Sequence, residues 1–304
     1  MNFEEFTKEI EKEIRKKTGL PAEISERIKN NGIKKVGIII DGKGSNIAPM
    51  IYLEEYYDYF KHGMDMESVI EDILNFMETL KIDREFQPDS ISDYDSIKNR
   101  IIFCIINTQK NAELLKEIPH REIEDLSIIY KVVFENSIEG NAMMLITNEH
   151  MEVWKVSEED LWKISEENTK HIFPAEFFTM TSALTELTEL LETGQRNTEN
   201  LLTDENIGKR DRMYVLSNKM RSGGAACLAY HGILETIAGI LRRNYYILPS
   251  SVHEVIVLPD RGEFEVEELN KMIKDINESE LDPEDILSDH CYKYLAGEKM
   301  LVVP

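Results

Sequence analysis

MYVLSNKMRSGGAACLAYHGILETIAGILRRNYYILPSSVHEVIVLPD, residues 213–260, is the stretch that decides the fold. Its apolar runs are short and rich in β-branched and aromatic residues, and a Gly-Gly turn separates the first two, which is typical of paired strands. One central segment instead repeats its apolar side chains at helical spacing. The predicted order is a strand at 213–218, a turn at 219–224, a return strand at 225–230, a helix at 232–243, and strands at 245–248 and 251–258. This order indicates an α+β fold, with antiparallel sheets and helices packed on one face.

The same strand–turn–strand–helix pattern occurs earlier in the chain, at residues 126–168. We therefore hypothesise two similar halves joined by a linker near 194–212, although their residues are not visibly repeated. Together they form a C-terminal α+β region, 121–304, that follows an N-terminal α+β region, 1–120.

The N-terminal region begins with a helix and a β-meander. Phe3, Phe6 and Ile10 recur at helical spacing, and Asn31-Gly32 supplies the positive φ angles of a type I′ turn within the meander. Three other segments predict strands, at 101–106, 126–134 and 142–148. The other predicted helices lie at 53–61, 65–81, from 157 onward, in the first part of 181–205 through Leu191, at 264–278 and from Asp282-Pro283. A terminal hairpin is predicted around Gly297.

The composition limits the classes of partner. The formal net charge is −23, which disfavours non-specific binding to nucleic acid, because that affinity comes mostly from Lys and Arg. No apolar run approaches the roughly 20 residues of a membrane span. The chain has three cysteines without a CxxC pair, and its first residues lack the apolar stretch of a signal peptide. We therefore expect a cytoplasmic protein without a membrane partner, and an acidic surface that serves either solubility or a basic partner.

Two parts of the chain carry a family resemblance. Residues 213–260 and the segment KNNGIKKVGIIIDGKGSNIAPMIYLEEYY, 29–57, resemble an uncharacterised bacterial domain-of-unknown-function family, numbered fifty-six eighty-eight. The shared features are a Tyr-Val-Leu-Ser-Asn strand, a Gly-Ala-Ala return and a Leu-Pro-Ser-Ser-x-His-Glu segment. Residues 148–169 are similar to part of another uncharacterised bacterial family. Neither resemblance implies an activity, a ligand or a catalytic residue.

The segment Ser250, Ser251, His253, Glu254 is the first candidate site, since it holds the residue types of a hydrolase. In a strand over 251–258, His253 and Glu254 point to opposite faces. Ser251 shares a face with His253, but positions i and i+2 lie roughly 6.6 Å apart, too far for a nucleophile–base hydrogen bond. The alternative interpretation is a strand entry with a buried, hydrogen-bonded histidine.

A second candidate is an anion site at the SGGAA turn, formed by Asn218, Lys219, Arg221, Gly223 and Gly224. The small residues there equally suit close packing of a hairpin.

Two further segments, DGKGSN at 41–46 and Asp289-His290-Cys291, lack the spacing of a phosphate loop and of a metal site respectively. We expect no cofactor and no metal.

No catalytic template fits the spacing of these residues. We therefore expect a soluble binding or interaction module with an acidic surface, whose partner is an unknown protein or small molecule. The alternative is an unrecognised hydrolase or small-molecule-binding enzyme that uses the Ser-Ser-x-His-Glu segment. A third hypothesis is a charged metabolite bound at the SGGAA turn.

Overall fold

A computed structural model describes residues 1–41, 50–79, 92–137, 140–193, 198–203 and 211–304. The segment 41–46 and the predicted linker at 194–212 lie largely outside the described residues, and so do residues 138–139 between the predicted strands 126–134 and 142–148. The α+β class is confirmed, since the described sheets are antiparallel and helices separate many of their strands. None of the described helices is long and apolar enough to cross a membrane.

The described helices are α1 Phe3–Thr18, α2 Glu54–Lys61, α3 Met66–Thr79, α4 Tyr94–Ile97, α5 Asn148–Trp154, α6 Glu158–Ile172, α7 Met180–Thr193, α8 Ile233–Leu241 and α9 Val266–Ser279. The described strands are β1 Ala22–Ile28, β2 Lys34–Ile40, β3 Met50–Tyr52, β4 Ile101–Asn107, β5 His120–Ile123, β6 Leu126–Ser137, β7 Gly140–Leu145, β8 Ala175–Thr179, β9 Tyr214–Asn218, β10 Tyr245–Leu248, β11 Val255–Pro259, β12 Tyr292–Leu295 and β13 Met300–Val302.

The chain divides into two compact units, 1–98 with 133–144, and 99–132 with 145–304. The first boundary between the units along the chain falls after residue 98. The physical reason is strand pairing, because β4 pairs along its whole length with β6 and belongs with the residues that follow it.

The first unit contains the predicted helix and meander. In α1, a capping box between Asn2 and Glu5 fixes the start, and the buried face of the helix packs on the sheet β1-β2-β3. The turn between β1 and β2 has positive φ at Asn31 (60°) and Gly32 (71°), and the Ile33 N–H donates to the Asn30 carbonyl oxygen. These are the features of the predicted type I′ turn.

The second unit contains two sheets. The larger has the order β13-β12-β10-β11-β9-β8, and the smaller has the first part of β6, up to Val132, between β4 and β5. β7 also pairs with β6, but most of β7 belongs to the first unit. The apolar face of α9 lies on the larger sheet through Leu269 and Ile273, which contact Tyr246 and Leu258. Ser157 caps α6 as the sequence predicts, and β12 and β13 form the predicted terminal hairpin.

The predicted return strand at 225–230 is wrong. Residues Gly224–Ala229 form a 3-10 helix that packs on β9. A return strand has no place to pair, because β8 occupies one edge of β9 and β11 occupies the other. The second strand–turn–strand–helix unit therefore does not exist, and the hypothesis of two similar halves fails with it.

Two shorter predictions also need correction. The strand predicted over 251–258 begins only at Val255, and the four residues before it form a loop with one isolated bridge, Ser251 to Ile286. Asp282-Pro283 begins a turn and not a helix, closed by the Asp285 N–H on the Asp282 carbonyl oxygen. Both changes have one cause, since the two segments hydrogen-bond to each other and neither can adopt its local preference.

Candidate functional site

The Ser-Ser-x-His-Glu loop is held against the segment 285–288. The Val252 N–H donates to the Asp285 carbonyl oxygen over 2.8 Å, and the Leu287 N–H donates to the Ser250 carbonyl oxygen over 2.9 Å. Within the loop, the His253 N–H donates to Ser251 Oγ over 3.0 Å. This last bond is a local turn, in which the serine hydroxyl substitutes for a backbone acceptor.

The imidazole of His253 is engaged at both nitrogens. The Gly223 N–H lies 3.2 Å from Nδ1, and Nε2 lies 3.1 Å from Asp285 Oδ1. A backbone N–H can only donate, so Nδ1 carries the lone pair and the proton is on Nε2, directed at the carboxylate. The side chain is 40% exposed. The sequence interpretation of a hydrogen-bonded histidine therefore agrees with the geometry, but full burial does not.

Two opposing effects act on the protonation of this ring. The hydrogen bond with Asp285 raises the pKa of His253 above its ordinary value, and burial opposes that rise. A second proton would occupy Nδ1, where it would face the Gly223 N–H, so this contact further favours the neutral ring. The neutral Nε2–H tautomer is the form that satisfies both neighbours.

The backbone of His253 explains the Gly-Gly pair of the signature. Its carbonyl oxygen accepts from the Gly224 N–H over 3.0 Å and from Ser217 Oγ over 2.8 Å. A Cβ on Gly224 would lie 2.4 Å from that oxygen, which leaves no room for any other residue. Gly223 has φ 62°, a left-handed conformation that favours glycine. The pair therefore permits a close approach of two backbone segments.

The polar groups of the predicted anion site are hydrogen-bonded within the chain, except for the exposed Lys219 side chain. Asn218 Oδ1 accepts from the Met220 N–H, and its Nδ2 donates to the Ser222 carbonyl oxygen. The N–H groups of Gly223, Gly224 and Ala225 all donate to residues 252–253. An anion at this turn would have to displace these hydrogen bonds. The binding of an anion at the SGGAA turn stays a prediction.

Arg221 forms a separate network on the same turn. Its guanidinium lies 2.7 Å from a Glu176 carboxylate oxygen and 2.8 Å from a Glu186 carboxylate oxygen, and it stacks on the Phe178 ring. All three charged side chains are at most 18% exposed. This ion pair joins β8, α7 and the turn after β9.

Of the predicted catalytic residues, the structure joins only Ser251 and His253, through a backbone contact. Glu254 is exposed, and Ser250 contributes its carbonyl oxygen. The important partner that the sequence did not reveal is Asp285, because it lies in an acidic stretch with no local motif.

Asp289, His290 and Cys291 point to different neighbours. Asp289 pairs with Lys110, the Cys291 thiol lies in the apolar cluster under α9, and His290 Nε2 lies 3.0 Å from Asp125 Oδ2. Across the described residues, no group of three or more such side chains could hold a metal ion.

These features belong to a recognised sequence family. The family of unknown function DUF5688 matches residues 3–295. The chain belongs to this family. It has no significant match among curated proteins, and none among solved structures. Membership in DUF5688 therefore agrees with the resemblance seen in the sequence, and it carries no activity to this chain.

Proposed function

We propose that this DUF5688 protein is a cytoplasmic binding module that presents an acidic helix face to a basic protein partner. The observation that carries the proposal is the surface of α9, which combines exposed apolar side chains with exposed carboxylates. Two of these carboxylates, Glu265 and Glu268, accept backbone hydrogen bonds as the capping box of the helix. The residues of the Ser-Ser-x-His-Glu loop support the proposal indirectly, because their hydrogen bonds hold two loops together.

The acidic α9 face consists of Glu265, Glu268, Met272, Asp275 and Ile276. Met272 is 44% exposed and Ile276 is 38% exposed, one helical turn apart. The three carboxylates form no salt bridge with any described residue. Around this face, residues 263–285 contain ten acidic residues and two lysines. Exposed apolar side chains in a ring of like charge are typical of a surface that binds a complementary partner.

The negative charge of the acidic α9 face favours a positively charged partner. A basic amphipathic helix would place apolar side chains on Met272 and Ile276 and cations beside the three carboxylates. Burying the exposed part of each apolar side chain would contribute about 1 kcal/mol by the usual area scaling. The same acidity disfavours nucleic acid as a partner, since its phosphates would be repelled.

The test uses a fluorescein-labelled peptide with leucines at helical spacing and lysines elsewhere, and a scrambled peptide of equal composition. Fluorescence anisotropy should show binding of the first peptide that weakens about 30-fold in the double variant Met272→Ser/Ile276→Ser, the equivalent of about 2 kcal/mol. The matched control, Leu184→Ser/Leu187→Ser, removes two exposed leucines from α7 and should change nothing.

The proposal fails if the scrambled peptide binds equally well, or if the α9 variant binds like the unchanged protein. Either result would mean that the acidic residues of α9 serve solubility and not the binding of a basic partner.

The hydrolase alternative has one observation in its favour, the pairing of His253 with Asp285, which resembles a base held by an orienting carboxylate. Its nucleophile would have to replace the Gly223 N–H at Nδ1. His253→Ala distinguishes the two functions in a screen of ester and phosphoester substrates. A folded variant that has lost an activity of the unchanged protein would favour the hydrolase and contradict the binding module.

A further inference from the structure

The second unit contains a cleft of about 760 Å³ where three segments of the chain end together. Residues 211–214 enter β9, residues 259–261 leave β11, and residues 239–243 end α8. Antiparallel pairing explains the convergence, because the start of β9 and the end of β11 lie side by side, as do the start of β10 and the end of β11. The larger sheet thus gathers distant residues at one edge.

Four of the twelve arginines of the chain line this cleft: Arg212, Arg242, Arg243 and Arg261. All four are exposed, and none forms a salt bridge with a described residue. Arg261 donates one hydrogen bond, to the Asp211 carbonyl oxygen. In a chain with 58 acidic and 35 basic residues, a third of the arginines therefore lie at one place without a salt bridge to any residue that the structure describes. Mutual repulsion makes such a cluster unfavourable until an anion occupies it.

Two carboxylates, Asp211 and Asp260, adjoin the arginines in sequence, and both have other partners. Asp211 accepts hydrogen bonds from the Thr181 backbone N–H and hydroxyl and from the Arg212 N–H. Asp260 is bound to Lys293 over 2.7 Å and also attracts Arg243, so two carboxylates and one lysine lie beside four arginines. The cleft therefore keeps an excess of positive charge.

We propose that this cleft binds a small molecule that carries two or more phosphate groups. Guanidinium groups bind phosphate oxygens through paired N–H donors, and several arginines require several anionic groups. The volume is that of a site for a small molecule. An extended polyanion such as RNA would also meet the acidic remainder of the surface. A small ligand would meet mainly the arginines, since charges are screened beyond about 8 Å at physiological salt.

This inference does not depend on the acidic α9 face. Its test is isothermal titration calorimetry with inorganic tripolyphosphate as the probe, and inorganic phosphate as the singly phosphorylated comparison. Tripolyphosphate should bind more tightly than phosphate, with an affinity that falls as salt rises. Arg243→Gln and Arg212→Gln should each weaken binding about tenfold, whereas Arg243→Lys should lose less because it keeps the charge.

Arg27→Gln provides the matched control, since Arg27 is an exposed arginine of β1, far from the cleft in sequence. It should bind tripolyphosphate like the unchanged protein. The exposed positions of Arg212 and Arg243 should leave the melting temperature unchanged, so weaker binding reports the site and not the fold.

Three results would overturn the proposal. They are no binding of tripolyphosphate, an equal loss in Arg27→Gln, or tighter binding of a single-stranded RNA oligonucleotide that competes with tripolyphosphate.

Discussion

Replacing Gly224 by alanine should strongly destabilise the second unit. A Cβ at this position would lie 2.2 Å from Ser217 Oγ, 2.4 Å from the His253 carbonyl oxygen and 2.7 Å from the Asn218 N atom. The hydroxyl can rotate away, but the other two atoms are backbone. Asn218 is paired with Ala175 in the larger sheet, so its nitrogen cannot move without disturbing that pairing.

The magnitude follows from two effects. Overpacking of a tight contact costs about 1–3 kcal/mol. If the segments separate, the two hydrogen bonds to the His253 carbonyl oxygen are lost as well, at about 1 kcal/mol each. We expect a loss of about 3–5 kcal/mol, a large part of the stability of an ordinary domain.

Urea unfolding followed by tryptophan fluorescence measures this loss, because both tryptophans of the chain, Trp154 and Trp162, lie in the second unit. Gly239→Ala is the matched control. Gly239 lies inside α8 and its Cβ would meet no atom within 4 Å, so alanine there should stabilise by about 0.5–1 kcal/mol. A loss below about 1 kcal/mol in Gly224→Ala, or a similar loss in both variants, would refute the close approach described here.

Three other predictions test separate parts of the second unit. Arg221→Met should destabilise this unit by about 3 kcal/mol in urea unfolding, because the substitution leaves the largely buried carboxylates of Glu176 and Glu186 unpaired. If adding Glu186→Gln alone restored the full stability, that result would contradict the pairing of Arg221 with both carboxylates. The hydrogen bond with Asp125 raises the pKa of His290. The stability that the protonated His290 ring contributes is therefore complete below about pH 6.5, and it is lost as pH rises through the raised pKa. The stability difference between the unchanged protein and His290→Gln should accordingly shrink from about pH 6 to pH 8.5, and a difference that grows would refute the assignment. Burial raises the pKa of Cys227 to about 12, so iodoacetamide should modify the partly exposed Cys104 before Cys227. Peptide mass spectrometry measures the order of modification, and the reverse order would contradict the burial of Cys227.

Local signals in the sequence predicted local structure well. Asn31-Gly32 produced its turn and Ser157 its helix start, because positive φ and side-chain capping depend on residues within one turn. The failures were non-local. Residues 225–230 could not become a strand because both edges of β9 are already paired. The strands that pair with them, β8 and β11, lie far from 225–230 along the chain.

The candidate site shows the same division between local and distant causes. The Ser-Ser-x-His-Glu segment identified the residues of the loop, but the partners of His253 lie at Gly223 and Asp285. The helix predicted over 232–243 ends at Arg242 and Arg243. Sequence reasoning could not bring Arg212 and Arg261 beside them, since only the strand order of the larger sheet does so.

The state of the His253 ring tests most directly whether the Ser-Ser-x-His-Glu loop is structural. Nuclear magnetic resonance of the protein with ¹⁵N-labelled histidine distinguishes the two neutral tautomers and the protonated ring. We predict that the neutral form of the ring is a single Nε2–H tautomer, with a hydrogen-bonded Gly223 amide that exchanges slowly with solvent. A ring that exchanges freely between tautomers, or that carries its proton on Nδ1, would contradict the account and leave His253 available as a base.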